Sequence, residues 1–435
     1  ASTSPTPLPT PTPTKTPRFN PTPDCGVKFK ACPKVTVESS LPLTQCKISD
    51  SSARLDASMS MGFPRPSFIQ QQKSNPRVLV VPVSFADLQF KDPNSELQSE
   101  LQFTQEKYRQ ISYGRVNLTF TVLQDAGVFI NKRFEDYKNE NNSDLGQMTE
   151  KILNLIDYPQ LANYDAVVLT TPRSDAINWG GGNGAGAAVQ TKFGPISNYY
   201  LYIGGPLKYQ TGDSINKSLT HILGHILYAL SDTYISAWAL NEKISIPTNL
   251  LFYDLMQNGF SDDFDGWVRW LNGWLLDSEV NCIDPTNLDG VIYIPFLENN
   301  SGKRLAVLPI TYNKALILEY RNASTHGYPD ENLYSSNGKG LLIYQFDSTV
   351  RQGYGQFTGA ADGQRLFVNG ESIIFQGFNF TISGVDSDGM YISIKRRRLL
   401  ICSQTCPNQV SLTLPLQELS RFSLELTQIQ ENHSK

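Results

Sequence analysis

Two of the chain's four histidines, His221 and His225, sit four residues apart in the stretch LTHILGHILYAL. At that spacing both imidazoles fall on one face of a helix, where they can share a metal ion. Leu219, Ile222, Leu223, Ile226 and Leu227 fill the other faces. A helix so apolar is expected to be buried, with its histidine face beneath a cleft. The plainer alternative is a pair of histidines packed inside a core.

The flanking sequence supplies strands and further helices. Arg77 to Phe85 (RVLVVPVSF) is an apolar β-branched run and predicts a buried strand. Ser95 to Ile111 has helical spacing, with Leu97, Leu101, Tyr108 and Ile111 on one side. Val116 to Leu123 alternates as a strand. Ser143 to Ile156 opens on a serine cap signal and predicts a second helix, and Tyr164 to Thr170 predicts another buried strand. The glycine-rich Asn178 to Ala188 lacks the strand before it and the helix within it that a dinucleotide loop requires, so it reads as a flexible loop beside a cleft. After Cys282 the pattern changes to short strands: Val291–Phe296, Leu305–Ile310, Ala315–Tyr320, Leu341–Phe346 and Tyr391–Ile394. The basic run Lys395 to Arg398 reads as a solvated strand end. The fold class expected is α+β.

At 435 residues the chain exceeds one typical core. The expected divisions are a Pro/Thr-rich extended tail at 1–24, a cysteine-containing segment at 25–62, a mixed α/β domain at 63–281, a β-rich domain at 282–400 and a tail at 401–435. Six cysteines without a CxxC pair predict disulfides, their pairing left open, and hence an extracellular or cell-surface protein. No signal peptide precedes the Pro tract, so a secreted form is expected to be numbered from its mature start. Asn117, Asn141, Asn216, Asn299, Asn322, Asn379 and Asn432 begin glycosylation sequons. A net charge of −4 without a basic stripe argues against a nucleic-acid partner, and no apolar run is long enough for a transmembrane segment. In the tail, Leu412, Leu414 and Leu416 alternate with polar residues. Such a strand can complete the chain's own β-domain or add to a neighbouring subunit in self-assembly.

Further elements follow the histidine helix in order: Asp232-Thr233-Tyr234, then Tyr253-Asp254-Leu255-Met256 with Gly259, then Trp267 to Trp274 (WVRWLNGW). Ser112 to Arg115 precedes them, and Ala315–Arg321 and Gly340–Asp347 come after. From about Phe63 to Ile394 the chain thereby resembles the immune inhibitor A family of zinc metallopeptidases. That resemblance implies a zincin-like domain, a mixed sheet plus an active-site helix, followed by a β-rich domain. It implies Zn2+ as the ion, with His221, His225 and Asp232 as the residues to hold it, and a methionine-bearing turn at Tyr253–Met256.

Three positions depart from the family pattern. Ile222 stands where the family's H-E-x-x-H motif carries the glutamate that takes a proton from metal-bound water, and an alkyl group cannot do this. Tyr228 replaces the glycine that turns the chain after the helix. Asp232 comes seven residues after His225 where the third ligand is expected at six, which on a helix rotates a side chain by roughly 100° unless the turn compensates. Two histidines and one out-of-register aspartate also fall short of the four protein ligands usual in structural zinc sites. The expectation is a protein without peptidase activity that binds a protein or peptide partner or serves as a structural subunit. The alternative is an active zinc endopeptidase with another base, Glu242 or Glu279.

Overall fold

The computed structural model describes residues 33–37, 41–49, 61–65, 74–123, 127–141, 144–172, 179–183, 188–203, 217–233, 254–256, 263–322, 339–350, 356–361 and 366–397. The Pro-rich tail, Cys25, Cys32, Cys402, Cys406, Tyr234, Glu242, Tyr253, Gly259 and the alternating C-terminal segment lie outside these residues.

After a one-turn helix α1 (Leu43–Cys46), the first half builds a sheet from β1 (Arg77–Phe85), β2 (Thr119–Val122), β3 (Val128–Ile130), β4 (Ala166–Thr170), β5 (Trp179–Asn183) and, beyond a small hairpin of β6 (Val189–Thr191) and β7 (Gly194–Ile196), β8 (Tyr199–Ile203). The spatial order is β2-β1-β4-β8-β5, with β3 also on β1. All these pairings are parallel except β5 with β8. The near-continuous apolar sequence of β1 follows from burial on both faces. Val78 and Val80 join one core while Leu79, Val81 and Val83 join another.

Helix α2 (Pro93–Ile111) and the histidine helix α5 (Lys217–Tyr228) cover the first face; α3 (Phe134–Glu140) and α4 (Leu145–Leu155) cover the second. Asp92 caps α2 through Asn94 N–H at 3.2 Å. Asp144 caps α4, its carboxylate accepting from Gln147 N–H at 3.0 Å, while Ser143, the cap expected from sequence, lies outside the described residues.

The glycine-rich stretch departs from the sequence reading. Residues 179–183 are not a loop but β5, the outer strand of the sheet, in antiparallel register with β8 from Trp179↔Ile203 to Asn183↔Tyr199. Glycines at 180–182 hid the strand, because a strand without side chains carries no alternation.

A short helix α6 (Gly266–Leu271) leads into the β-rich half. β9 (Val280–Cys282), β11 (Leu305–Thr311), β12 (Lys314–Asn322), β13 (Lys339–Asp347) and β14 (Gln356–Ala360) form one sheet, ordered β14-β13-β12-β11-β9. β10 (Gly290–Pro295), β15 (Ser372–Phe375), β16 (Phe378–Val385) and β17 (Gly389–Arg396) form another, ordered β10-β17-β16-β15. The five-stranded sheet is shared between two cores. Leu316 and Leu318 face the four-stranded sheet, while Ala315 and Ile317 on the alternate side pack with Trp267 and the first half. Residue 282 therefore ends a strand of this shared sheet, and apolar packing continues across it.

Two further links bind the halves. Cys46 and Cys282 form a disulfide, their Cα atoms 5.7 Å apart, which staples α1 to β9. Below it, the buried carboxylate of Asp263 pairs with both Arg269 of α6 and Arg321 of β12. Among the described residues no helix is long and apolar enough to cross a membrane. Of the described sequons, Asn117 is exposed, whereas Asn141 is buried with its amide donating to the Tyr137 carbonyl at 2.6 Å.

Candidate metal centre

α5 is held from both sides. Tyr108 of α2 donates its hydroxyl hydrogen to the Thr220 carbonyl at 2.9 Å, and the Tyr108 ring stacks on Tyr228 at the helix end. On its other flank Gly224 faces Met256. A Cβ there would stand 2.9 Å from the Met256 sulfur, so the missing side chain is what lets the 254–256 turn lie against the helix. These contacts leave His221 and His225 side by side, their side chains only 14% and 13% exposed.

Each imidazole is oriented by a main-chain carbonyl. His221 Nδ1 lies 2.9 Å from the Leu255 oxygen, and His225 Nδ1 lies 2.7 Å from the Leu230 oxygen. A carbonyl can only accept, so both Nδ1 atoms carry the hydrogen and both Nε2 atoms are left to ligate. Histidine metal ligands are oriented in the same way, by a hydrogen bond from the ring nitrogen that does not bind the ion.

The Nε2 atoms are 3.0 Å apart, and Asp232 Oδ1 stands 3.4 Å from that of His221 and 3.2 Å from that of His225. Burial alone would favour the neutral acid of Asp232, but when a proton sits on the facing Nε2 atoms the hydrogen bonds and positive charge of the His221 and His225 imidazoles outweigh it and hold the carboxyl well below the usual carboxylate range. Three electron-rich atoms this close require a positive species among them, either a shared proton or a cation. A tetrahedral zinc ion bonded at about 2.0–2.1 Å would space its ligand atoms about 3.3 Å apart, so the residues present fit such an ion. Among the described residues this is the one group of three or more His, Cys, Asp or Glu side chains close enough to hold a metal.

The register of Asp232 has a specific resolution. α5 runs through Tyr228, whose ring is buried between Tyr108 and Trp274. The reversal then falls on Ala229, in the left-handed region at φ 44°, and Leu230 N–H returns to the Gly224 carbonyl at 3.0 Å. Asp232 follows this turn by three residues and comes back over the histidines.

Ile222 is 6% exposed and packs in the core that carries Leu219, Leu223 and Ile226. Glu279, one of the two carboxylates considered as a substitute base, is ion-paired with Arg304 at 2.7 Å and with Arg115 at 3.3 Å. Glu242 lies outside the described residues.

Residues that spacing did not single out complete the site. The carbonyls of Leu255 and Leu230 leave no trace in sequence, since any residue supplies one. Asp254, quoted only as part of the turn motif, is fully buried and accepts from the Thr233 hydroxyl at 2.7 Å. An aspartate inside an apolar stretch is the signal that was available. Comparison with known proteins finds no matching family model and no curated protein similar enough to count as a relative.

Proposed function

We propose that this chain is a zincin-like, metal-holding but non-hydrolytic member of the metallopeptidase type, acting outside the cell as a binding module for extended peptide segments. The observation that carries the reading is the convergence of His221, His225 and Asp232 beside an isoleucine at position 222. Two neutral imidazoles and a carboxylate suit zinc, and an ion there would act as a Lewis acid toward a carbonyl or carboxylate oxygen. The chain's own residues hold the ligand atoms in place, but Ile222 offers no atom to accept a proton from water. Proton transfer of this kind contributes typically about 10²–10⁴-fold to hydrolysis.

The edge of the first sheet supports the choice of peptide as partner. α5 packs against β8, and β5 is the next and last strand on that side. Among the described residues the outer edge of β5 pairs with no strand, and an extended peptide can add there by main-chain hydrogen bonds.

The test is metal analysis of the purified full chain together with a protein-substrate digest. About one equivalent of zinc, removable by a chelator, with no chelator-sensitive cleavage is the expected result. Zinc-dependent hydrolysis by the unaltered chain would establish the active endopeptidase instead. A chain that takes up no zinc would reduce the site to a proton-bridged histidine pair.

A further inference from the structure

The turn at 254–256 touches both halves of the ligand set, and one side chain ties them together. Asp254 is fully buried. Its Oδ2 accepts from the Thr233 hydroxyl at 2.7 Å, and its Oδ1 accepts from Met256 N–H at 3.3 Å. Thr233 N–H in turn donates to the Met256 carbonyl at 3.0 Å. The segment that presents Asp232 is therefore clasped to the turn by side chain and backbone at the residue next to the ligand. On the same turn, Leu255 N–H donates to the Asp263 carbonyl at 2.6 Å, and the Leu255 carbonyl orients His221.

We propose that Asp254 is a positioning residue of the metal centre: through Thr233 it fixes Asp232, and through the 254–256 turn it fixes the ring of His221. This rests on the metal-binding reading given above. A carboxylate suits the place because it accepts from two donors at once, one on each segment. Its position argues for a specific task, because an ionisable group set wholly inside a core opposes folding unless its partners compensate. Thr233 and Met256 are its hydrogen-bond partners and offset that burial in part, and both belong to segments that hold the site. Removing such outer partners typically weakens metal affinity about 10–100-fold.

The test compares the full chain with Asp254→Ala, Asp254→Asn and Thr233→Val, each checked for folding by circular dichroism. Two readouts are taken: Co2+ and Zn2+ affinity with the Co2+ absorption spectrum, and the imidazole nitrogen shifts of His221 in metal-free protein. The expected result is metal binding weaker by tenfold to a hundredfold and an altered Co2+ spectrum in Asp254→Ala, with an intermediate loss in Thr233→Val and substantial rescue in Asp254→Asn. In metal-free Asp254→Ala the His221 ring should lose its single Nδ1–H tautomer. Folded variants that bind Co2+ as tightly as the unaltered chain, with the same spectrum and the same His221 tautomer, would overturn the proposal. If the unaltered chain takes up neither metal yet the His221 tautomer still changes in Asp254→Ala, the positioning role stands and the metal reading falls. If neither metal binds and the tautomer is unmoved, both fall.

Discussion

Ala229 holds a left-handed backbone three residues ahead of Asp232, and that pairing brings the carboxylate back over His221 and His225. An L-residue with a Cβ sits there at a cost of roughly 1–2 kcal/mol, which glycine avoids. Ala229→Gly should therefore keep the site and leave stability level or raised by up to about 1 kcal/mol, the gain being limited by the freer unfolded chain. Ala229→Val should lose about 2 kcal/mol, because a β-branched residue tolerates this conformation least. Its Co2+ affinity should fall as Asp232 is displaced. Urea unfolding and Co2+ titration of the three proteins check both points. A valine variant with unaltered stability and affinity would mean that the turn does not set the register.

Ile222 makes a sharper prediction about chemistry. If the site holds zinc and lacks only a base, Ile222→Glu should gain chelator-sensitive hydrolysis of a generic protein substrate, about 10² above the unaltered chain or more. The change also puts a carboxylate at a position that is 6% exposed, so the variant should be less stable by about 1–3 kcal/mol. Activity is read per folded molecule. A folded, zinc-loaded glutamate variant with no hydrolysis would show that more than the base is missing.

The Cys46–Cys282 bridge closes a span of 236 residues across the shared core. Its removal in the double variant Cys46→Ser/Cys282→Ser should cost about 5 kcal/mol in the chain-entropy account. The melting temperature should drop accordingly, and the loss should reappear in the unaltered chain under reducing agent. Equal melting temperatures with and without reductant would show that packing alone fixes α1 to β9.

Sequence made some of this architecture readable and hid the rest, for reasons that differ residue by residue. β1 and β4 show themselves because burial on both faces demands an unbroken apolar run, and α2 because one buried face imposes helical spacing. β5 stayed hidden because its glycines provide no pattern, although its backbone pairing with β8 is regular. At the site, His221 and His225 were legible from spacing alone. The position of Asp232 was not, since its distance from His225 along the chain cannot show that the reversal falls on Ala229. The single sheet shared by two cores was legible only in outline. The unbroken apolar run Ala315–Leu318 on β12 indicates burial on both sides but not what lies there.

A last prediction concerns acidity, and it rests on Glu100. This residue lies on the buried side of α2 and is 6% exposed. Burial raises its carboxyl from 4.5 to about 8. The folded state then holds the proton more tightly than the unfolded chain does. Its contribution to stability is complete below pH 4.5 and is lost as pH climbs from there toward 8, opposite in sense to a salt-bridged acid. At about 1.4 kcal/mol per pH unit, the whole effect is up to about 5 kcal/mol. Asp254, raised to about 7 mainly by burial, acts in the same direction. Denaturant unfolding at pH 5 and pH 8.5 should show the unaltered chain clearly weaker at the higher value. Glu100→Gln, which keeps the shape without the ionisation, should narrow that gap by several kcal/mol while leaving stability at pH 5 nearly unchanged. An equal gap in both proteins would mean that Glu100 titrates in the fold much as it does in the unfolded chain, and that water reaches its carboxylate.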